Sequence, residues 1–193
     1  MKKINFSDKF GLTQAVLSGR KTMTRRIVPQ STIDKYALLE GNTIIDDARY
    51  VVGEVVAIAQ SYESIYNEQG LETMDMFVSG LKNHKGWRNK LFVAADKMPY
   101  HIRITGVRVE RLRDISDEDC IKEGIDNLPY SGNTDLKPFA FYDTYIKTED
   151  GKGWYRSYDT PREAYAALID RISGKGVWNS NPYVFVYDFE LVD

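Results

Sequence analysis

The sequence predicts an α+β fold in which helices decorate a bent antiparallel sheet or a small β-barrel. Strand-like segments are separated irregularly, and helix-like segments lie at the ends and between them. In the clearest strand the apolar alternation slips at Thr105-Gly106, as expected of a β-bulge, and bulges let strands bend as those of small barrels must. The last strand, predicted over 183–192, carries large apolar residues at the odd positions from Tyr183 to Leu191.

The N-terminal part of the chain predicts a strand, a helix and an extended segment. A short strand is expected within residues 1–6. The helix that follows can be capped by Ser7 or Asp8 and ends at Gly19, which suits a left-handed conformation. Residues 20–26 should therefore leave the helix and run extended.

The middle of the chain alternates predicted strands with one well-marked helix. Strands are expected over 51–60, 91–95 and 100–113, the first of them buried because it is apolar on both faces. A short helix follows, with Ser116 as its N-cap and Gly124 at its end.

A second well-marked helix lies near the C-terminus. Thr160 is its expected N-cap, Pro161 suits the first helical position, and Glu163 completes a capping box. Gly174 should end this helix, and a structured loop is predicted over 176–182.

Length and composition favour one domain spanning 1–193, with insertions near 61–90 and 127–159. The net charge of −2 argues against a large non-specific nucleic-acid binder but leaves room for a local basic cleft. The single cysteine, Cys120, suits a reducing compartment and a place in the core. Without an apolar run of membrane length or a signal peptide, we expect a cytoplasmic protein. No metal spacing is present, no cofactor is predicted, and the oligomeric state is left open.

The strongest functional signal lies within residues 15–26. Four cations, Arg20, Lys21, Arg25 and Arg26, are separated only by threonines and one methionine, and no acidic residue lies nearby in the sequence. Two interpretations remain open, a solvated basic turn and an anion or nucleotide site.

Three segments resemble the ASCH family, whose domains share a PUA-like β-barrel fold. Residues 19–26 look like the family signature G-x-K-x-x-E-x-R, with Thr24 at the usual glutamate position. Residues 104–125 and 178–189 look like the ASCH proteins of bacteriophages and prophages. The resemblance implies a small bent PUA-like barrel decorated with helices and two insertions.

The resemblance also implies a cleft that takes RNA or a modified nucleoside. Lys21, Thr24, Arg26 and Glu123 would line this cleft. Further residues expected to contact the ligand are Gly19, Arg20, Arg25, Arg26 and Trp178. One ASCH branch that also has threonine at the glutamate position consists of amidohydrolases acting on N4-acetylcytidine. Its catalytic constellation maps onto Lys21 as base, Thr24 as nucleophile and Glu123 as acid.

Three functional hypotheses follow. The chain is an RNA- or nucleoside-binding domain, an N4-acetylcytidine amidohydrolase, or a phage-type protein-interaction module that uses the tyrosine-rich segment 130–158. The amidohydrolase hypothesis is chemically consistent, because a threonine hydroxyl needs a base and a lysine becomes one when its pKa falls. A glutamate can then protonate the leaving amine.

Overall fold

The structure, a computed structural model, describes residues 1–37, 44–69, 80–128, 140–142, 146–147, 153–154 and 156–192. None of the helices in these ranges combines the length and the apolar character that a membrane span requires. Residues 70–79 of the first predicted insertion lie outside the described ranges, as does most of the second, including much of the tyrosine-rich segment. The single-domain organisation therefore stays a prediction.

The described ranges contain a main sheet, short peripheral strands and several helices. The strands are β1 (Lys3–Ile4), β2 (Met23–Ile27), β3 (Val55–Ile58), β4 (His101–Arg111), β5 (Asp126–Leu128), β6 (Ala140–Tyr142), β7 (Ile146–Lys147), β8 (Gly153–Trp154), β9 (Ser157–Tyr158) and β10 (Tyr183–Leu191). The α-helices are α1 (Leu12–Leu17), α2 (Gln30–Ala37), α3 (Tyr62–Gln69), α4 (Asp117–Lys122), α5 (Pro161–Ser173) and α6 (Val177–Ser180). Short 3-10 helices cover Asp8–Phe10, Ile44–Asp47, Lys90–Phe92, Ala95–Lys97 and Leu112–Asp114.

The main sheet has five strands in the order β1-β3-β4-β10-β2. β1 pairs with β3 in parallel, and the other neighbours are antiparallel, so the predicted α+β class is confirmed with a mixed sheet. Among the described residues β1 and β2 do not pair, so the sheet stays open. A side chain bridges its two edges instead, since Arg26 Nη2 donates to the backbone oxygen of Asn5 at 2.6 Å, directly after β1.

The predicted bulge in β4 is confirmed. Asp188 of β10 lies opposite Gly106 and Phe189 lies opposite Ile104, which leaves Thr105 as the extra residue. Glycine suits the bulge because a Cβ on Gly106 would lie 2.9 Å from Asp188 Oδ2 and would displace that carboxylate.

The N-caps predicted at Ser116 and Thr160 are confirmed. The Ser116 side chain accepts a hydrogen bond from the Asp119 N–H at the start of α4. Thr160 accepts one from the Glu163 N–H at the start of α5, and Pro161 occupies the first helical position. These caps fix the start of the two helices that pack closest to the functional region.

Three other local predictions are wrong. Ser7 and Asp8 do not cap α1, because Gly11 adopts a left-handed conformation with φ of 65° and separates a 3-10 turn from the helix. Residues 91–95 form parts of two 3-10 turns rather than a strand, and residues 177–180, predicted as loop, form α6.

The core lies between the main sheet and the helices α1, α4 and α5. On α5, Tyr165, Leu168 and Ile169 are buried, whereas Ile172, three residues after Ile169, stays 39% exposed. All four residues also line a cavity, so α5 both covers the core and faces the functional region.

Candidate ligand-binding site

The chain turns sharply between α1 and β2, and this turn directs Lys21 inward. Gly19 has a φ of 72°, as predicted for the residue that ends the helix. The Lys21 N–H donates to the Ala15 oxygen and the Thr22 N–H donates to the Lys122 oxygen, each at 2.9 Å. The second bond attaches the start of β2 to the end of α4.

Lys21 and Glu123 form a buried ion pair. Lys21 Nζ lies 2.5 Å from Glu123 Oε2 and 2.8 Å from the Glu123 backbone oxygen, and the two side chains are 2% and 6% exposed. Burial lowers the pKa of Lys21 from its usual range, although the Glu123 carboxylate raises it. Glu123 occupies the C-cap of α4, and Gly124 follows with a φ of 96°, as predicted.

Arg25 joins three carboxylates from two other elements. Its guanidinium lies 2.6 Å from Glu110 of β4, 2.9 Å from Asp119 of α4 and 3.3 Å from Glu123. Burial opposes its charge, yet the pKa of Arg25 is raised because Glu123 and Glu110 favour the cation. Hydrogen bonding to Arg25 likewise lowers the pKa of Asp119 against the effect of burial. Arg25 therefore holds β2, β4 and α4 together and positions Glu123.

Arg108 extends this network, and sequence reasoning missed it. Its guanidinium lies 2.8 Å from Asp119, 2.7 Å from Asp188 and 3.1 Å from Glu110. The sequence did carry a signal for it, because the side chains of a strand alternate between the two faces of a sheet. This alternation places Gly106, Arg108 and Glu110 of β4 on one face.

A cavity of about 310 Å³, the Lys21 cavity, opens beside the ion pair. Its residues are Asn5, Phe6, Ser7, Leu12, Lys21, Thr24, Arg25, Arg26, Ile27, Glu123, Tyr165, Leu168, Ile169, Ile172 and Ser173. Phe6 lies between two cations, with Lys21 Nζ and Arg26 Cζ at 5.8 and 5.7 Å from its ring centroid. Among the described residues, no group hydrogen-bonds the Thr24 hydroxyl, although Thr24 is only 4% exposed.

The structure brings together some of the residues that the sequence singles out. Lys21, Thr24 and Glu123 line one cavity, and their catalytic roles stay predictions. Arg25 and Arg26 line it as well.

The other predicted ligand contacts lie outside this cavity. Gly19 belongs to the turn, and the half-exposed Arg20 side chain pairs with Asp126. Trp178 on α6 packs edge-on against Tyr165 at 6.2 Å and lies under the Arg162 guanidinium at 5.7 Å, so it supports α5 instead.

The cleft is less basic than its sequence suggests. Arg20, Lys21 and Arg25 all pair with carboxylates that come from distant parts of the chain. Arg26 is the cation of this stretch that has no carboxylate partner among the described residues. Most of the positive charge of this stretch is therefore compensated by described carboxylates, and the basic cleft stays a prediction.

The described residues contain no cluster of His, Cys, Asp or Glu side chains that could hold a metal ion. Cys120 is fully buried on the inner face of α4, and burial raises its thiol pKa to about 12, in line with its predicted place in the core.

No family model matches the chain, and no curated protein sequence matches it significantly. A similar solved structure is protein EF3133 from Enterococcus faecalis V583, of the family DUF984. It superimposes with a TM-score of 0.40 and 14% sequence identity over 94% of this chain and 67% of that chain. At this level the similarity says nothing about the activity of the present protein.

Proposed function

We propose that this protein is an ASCH-type domain of the PUA-like class that binds a nucleoside-sized ligand in the Lys21 cavity. The observation that carries the proposal is the buried Lys21–Glu123 pair beside the Thr24 hydroxyl, which has no described partner. A volume of about 310 Å³ falls at the lower end of small-molecule sites and is too small for a folded RNA segment.

The charge of the cavity favours a neutral ligand part over a phosphate. Lys21 and Arg25 are already neutralised at distances of 2.5 to 3.3 Å. A phosphate placed there would have to compete with three carboxylates. A nucleobase instead offers donors and acceptors without a formal charge, and Phe6 offers a ring close by.

The open edge of β2 adds backbone groups that suit a base. The Val28 N–H donates to Tyr183 of β10, and the Phe189 N–H donates to the Thr22 oxygen. The backbone N–H and C=O groups at the even-numbered positions of β2 therefore face β10. Arg25 is at an odd-numbered position, so its backbone N–H and C=O face the unpaired edge of the sheet. An N–H and a C=O on one strand edge can recognise a donor–acceptor pair on a nucleobase.

A calorimetric titration with cytidine and N4-acetylcytidine tests the binding proposal. We expect binding by the wild type that Lys21→Met abolishes and that Arg20→Gln leaves intact, because Arg20 lies in the same basic stretch but outside the cavity. Circular dichroism confirms that each variant is folded, and Thr24→Val provides a second, nearly isosteric change in the cavity wall. Absence of nucleoside binding to the wild type, or equal binding by Lys21→Met, would contradict the proposal.

The second candidate function is hydrolysis of the N4-acetyl amide in the same cavity. Two observations favour it: burial lowers the pKa of Lys21, and the neighbouring Thr24 hydroxyl is free of described partners. Thr24 Oγ1 would attack the acetyl carbonyl and pass its proton to neutral Lys21. Lys21 would hand this proton to the Glu123 carboxylate, whose Oε2 lies 2.5 Å from Nζ. The C–N bond would then break as the cytidine nitrogen takes the proton from Glu123, and water would release acetate from the Thr24 ester and return the proton to the Thr24 hydroxyl.

Chromatographic detection of cytidine release separates the two candidates. Thr24→Val should bind N4-acetylcytidine and release no cytidine, whereas Thr24→Ser should retain release because it keeps a nucleophilic hydroxyl. Binding without release by the wild type would eliminate the hydrolase and leave the binding function. Release by Thr24→Val at the wild-type rate would exclude Thr24 as the nucleophile.

A further inference from the structure

A second cavity of about 430 Å³ lies on the other side of Arg26. It shares Asn5, Arg26 and Ile27 with the Lys21 cavity, so the two spaces adjoin at the bridge between the sheet edges. No motif in the sequence indicates this cavity.

The floor of the second cavity is aromatic and buried. The Tyr50 and Tyr187 rings meet edge to face at 5.2 Å, and the Phe185 ring lies 6.3 Å from that of Tyr187. The Tyr50 hydroxyl donates to the Lys3 oxygen, and the Tyr187 hydroxyl accepts from the Arg49 N–H. These bonds fix the two rings in place beneath the cavity.

Two guanidinium groups face this space without a carboxylate partner among the described residues. Arg26 donates to the Asn5 oxygen and lies over Phe6, and Arg49 lies 5.5 Å from the Tyr50 ring centroid. One carboxylate also lines the cavity, Asp47, but it is bound to Lys35 at 2.9 Å.

The fields of both arginines reach the aromatic floor. Burial raises the pKa of Tyr50 and of Tyr187, and Arg49 and Arg26 oppose that rise in both cases. The second cavity therefore combines neutral phenols with positive charge that no described carboxylate compensates. This differs from the Lys21 cavity, where both Lys21 and Arg25 are paired with carboxylates.

We propose that the second cavity binds a phosphate monoester carried by the molecule whose base occupies the Lys21 cavity, so that the ligand is a nucleotide. This inference rests on the proposed nucleoside-binding function. Arginine forks match phosphate oxygens in bidentate geometry and bind them through charge-assisted hydrogen bonds. Arg26 lines both cavities and stands where the sugar of such a ligand would pass.

Calorimetry with N4-acetylcytidine and its 5′-monophosphate measures what the phosphate contributes. For the wild type we expect the monophosphate to bind about tenfold more tightly or better, and this ratio should shrink as NaCl rises from about 50 to 500 mM. Arg49→Gln should reduce the ratio to about twofold or less. Arg88→Gln is the matched control, because that arginine is exposed and lines neither cavity.

The outcomes separate this inference from the function on which it rests. Suppose that the nucleoside binds in a way that depends on Lys21. If the phosphate then adds no affinity, or if Arg49→Gln preserves the added affinity, the phosphate site alone is overturned. If neither N4-acetylcytidine nor its 5′-monophosphate binds, the proposed function fails. Titration with phenyl phosphate then tests the second cavity by itself. Binding of phenyl phosphate that Arg49→Gln weakens supports a phosphate site, and absence of that binding overturns it.

Discussion

Replacing Glu123 by glutamine should destabilise the protein strongly, because the change leaves the Lys21 ammonium buried without its counter-charge. Lys21 Nζ would keep the backbone oxygen of residue 123 at 2.8 Å and the Phe6 ring at 5.8 Å. Removing one partner of a buried ion pair costs about 3–5 kcal/mol. Arg25 would lose less, since it retains Glu110 and Asp119.

The destabilisation caused by Glu123→Gln has an upper limit, because Lys21 can lose its proton. A lysine with an ordinary pKa of about 10.4 gives up its proton at about pH 7 for roughly 4.6 kcal/mol, at 1.36 kcal/mol per unit. A larger penalty than this would simply make Lys21 neutral. We therefore expect Glu123→Gln to lower the free energy of unfolding by about 3 to 4.6 kcal/mol at neutral pH. Lys21→Met should cost less, because Glu123 then keeps Arg25 at 3.3 Å.

The stability of the variant should also depend on pH with a defined sign. The pKa of Lys21 is lower in the folded protein than in the unfolded chain because burial disfavours the charge. Between those two pKa values the unfolded chain binds more protons, so the free energy of unfolding rises with pH. Glu123→Gln removes the carboxylate that raises the pKa of Lys21, so this rise should begin at a lower pH and be larger than in the wild type.

Urea denaturation followed by circular dichroism, at several pH values between about 6 and 10, measures both effects. Glu118→Gln is the matched control, because Glu118 lies on the same helix but is exposed. The double variant Lys21→Met/Glu123→Gln should recover most of the loss, since it leaves no lysine charge buried. A loss for Glu123→Gln no larger than that for Glu118→Gln, or a stability without pH dependence, would refute the reasoning.

Three further predictions concern the frame around the site. Gly106→Ala should cost about 1–3 kcal/mol in urea denaturation, because the added Cβ would lie 2.9 Å from the Asp188 carboxylate at the bulge. Thr160→Ala should cost about 1 kcal/mol in the same assay, since the Glu163 N–H loses its acceptor, and Thr160→Ser should restore it. Cys120, fully buried with a thiol pKa raised to about 12, should react with an aromatic disulfide reagent only as the protein unfolds, and rapid reaction of the native protein would contradict this burial.

Local features of the fold could be predicted because each depends on neighbouring residues. The caps at Ser116 and Thr160 need only a side chain and an N–H three residues ahead. The bulge at Gly106 is visible as a slip in a strand's alternation. The failure at Ser7 and Asp8 has an equally local cause, since Gly11 interrupts the helix and nothing in the spacing of apolar residues reveals that break.

The partners of the charged groups could not be predicted, because they depend on tertiary contacts. Arg25 meets Glu110 and Glu123 from 85 and 98 positions away. An absence of nearby acids in the sequence therefore did not indicate an uncompensated basic site. The second cavity is hidden for the same reason, since Arg49 and Tyr187 are 138 positions apart.

The adjacent residues Arg25 and Arg26 have opposite environments because strand side chains alternate between two faces. Arg25 lies opposite Val186, on the face that carries Arg108 and the carboxylates of β4 and α4. Arg26 lies opposite Phe185, on the face that forms the aromatic floor of the second cavity. A shift of β2 by one residue would exchange them, turning Arg26 toward the carboxylates and Arg25 toward the second cavity. The register of β2 against β10 therefore decides which arginine positions Glu123 and which lines the second cavity.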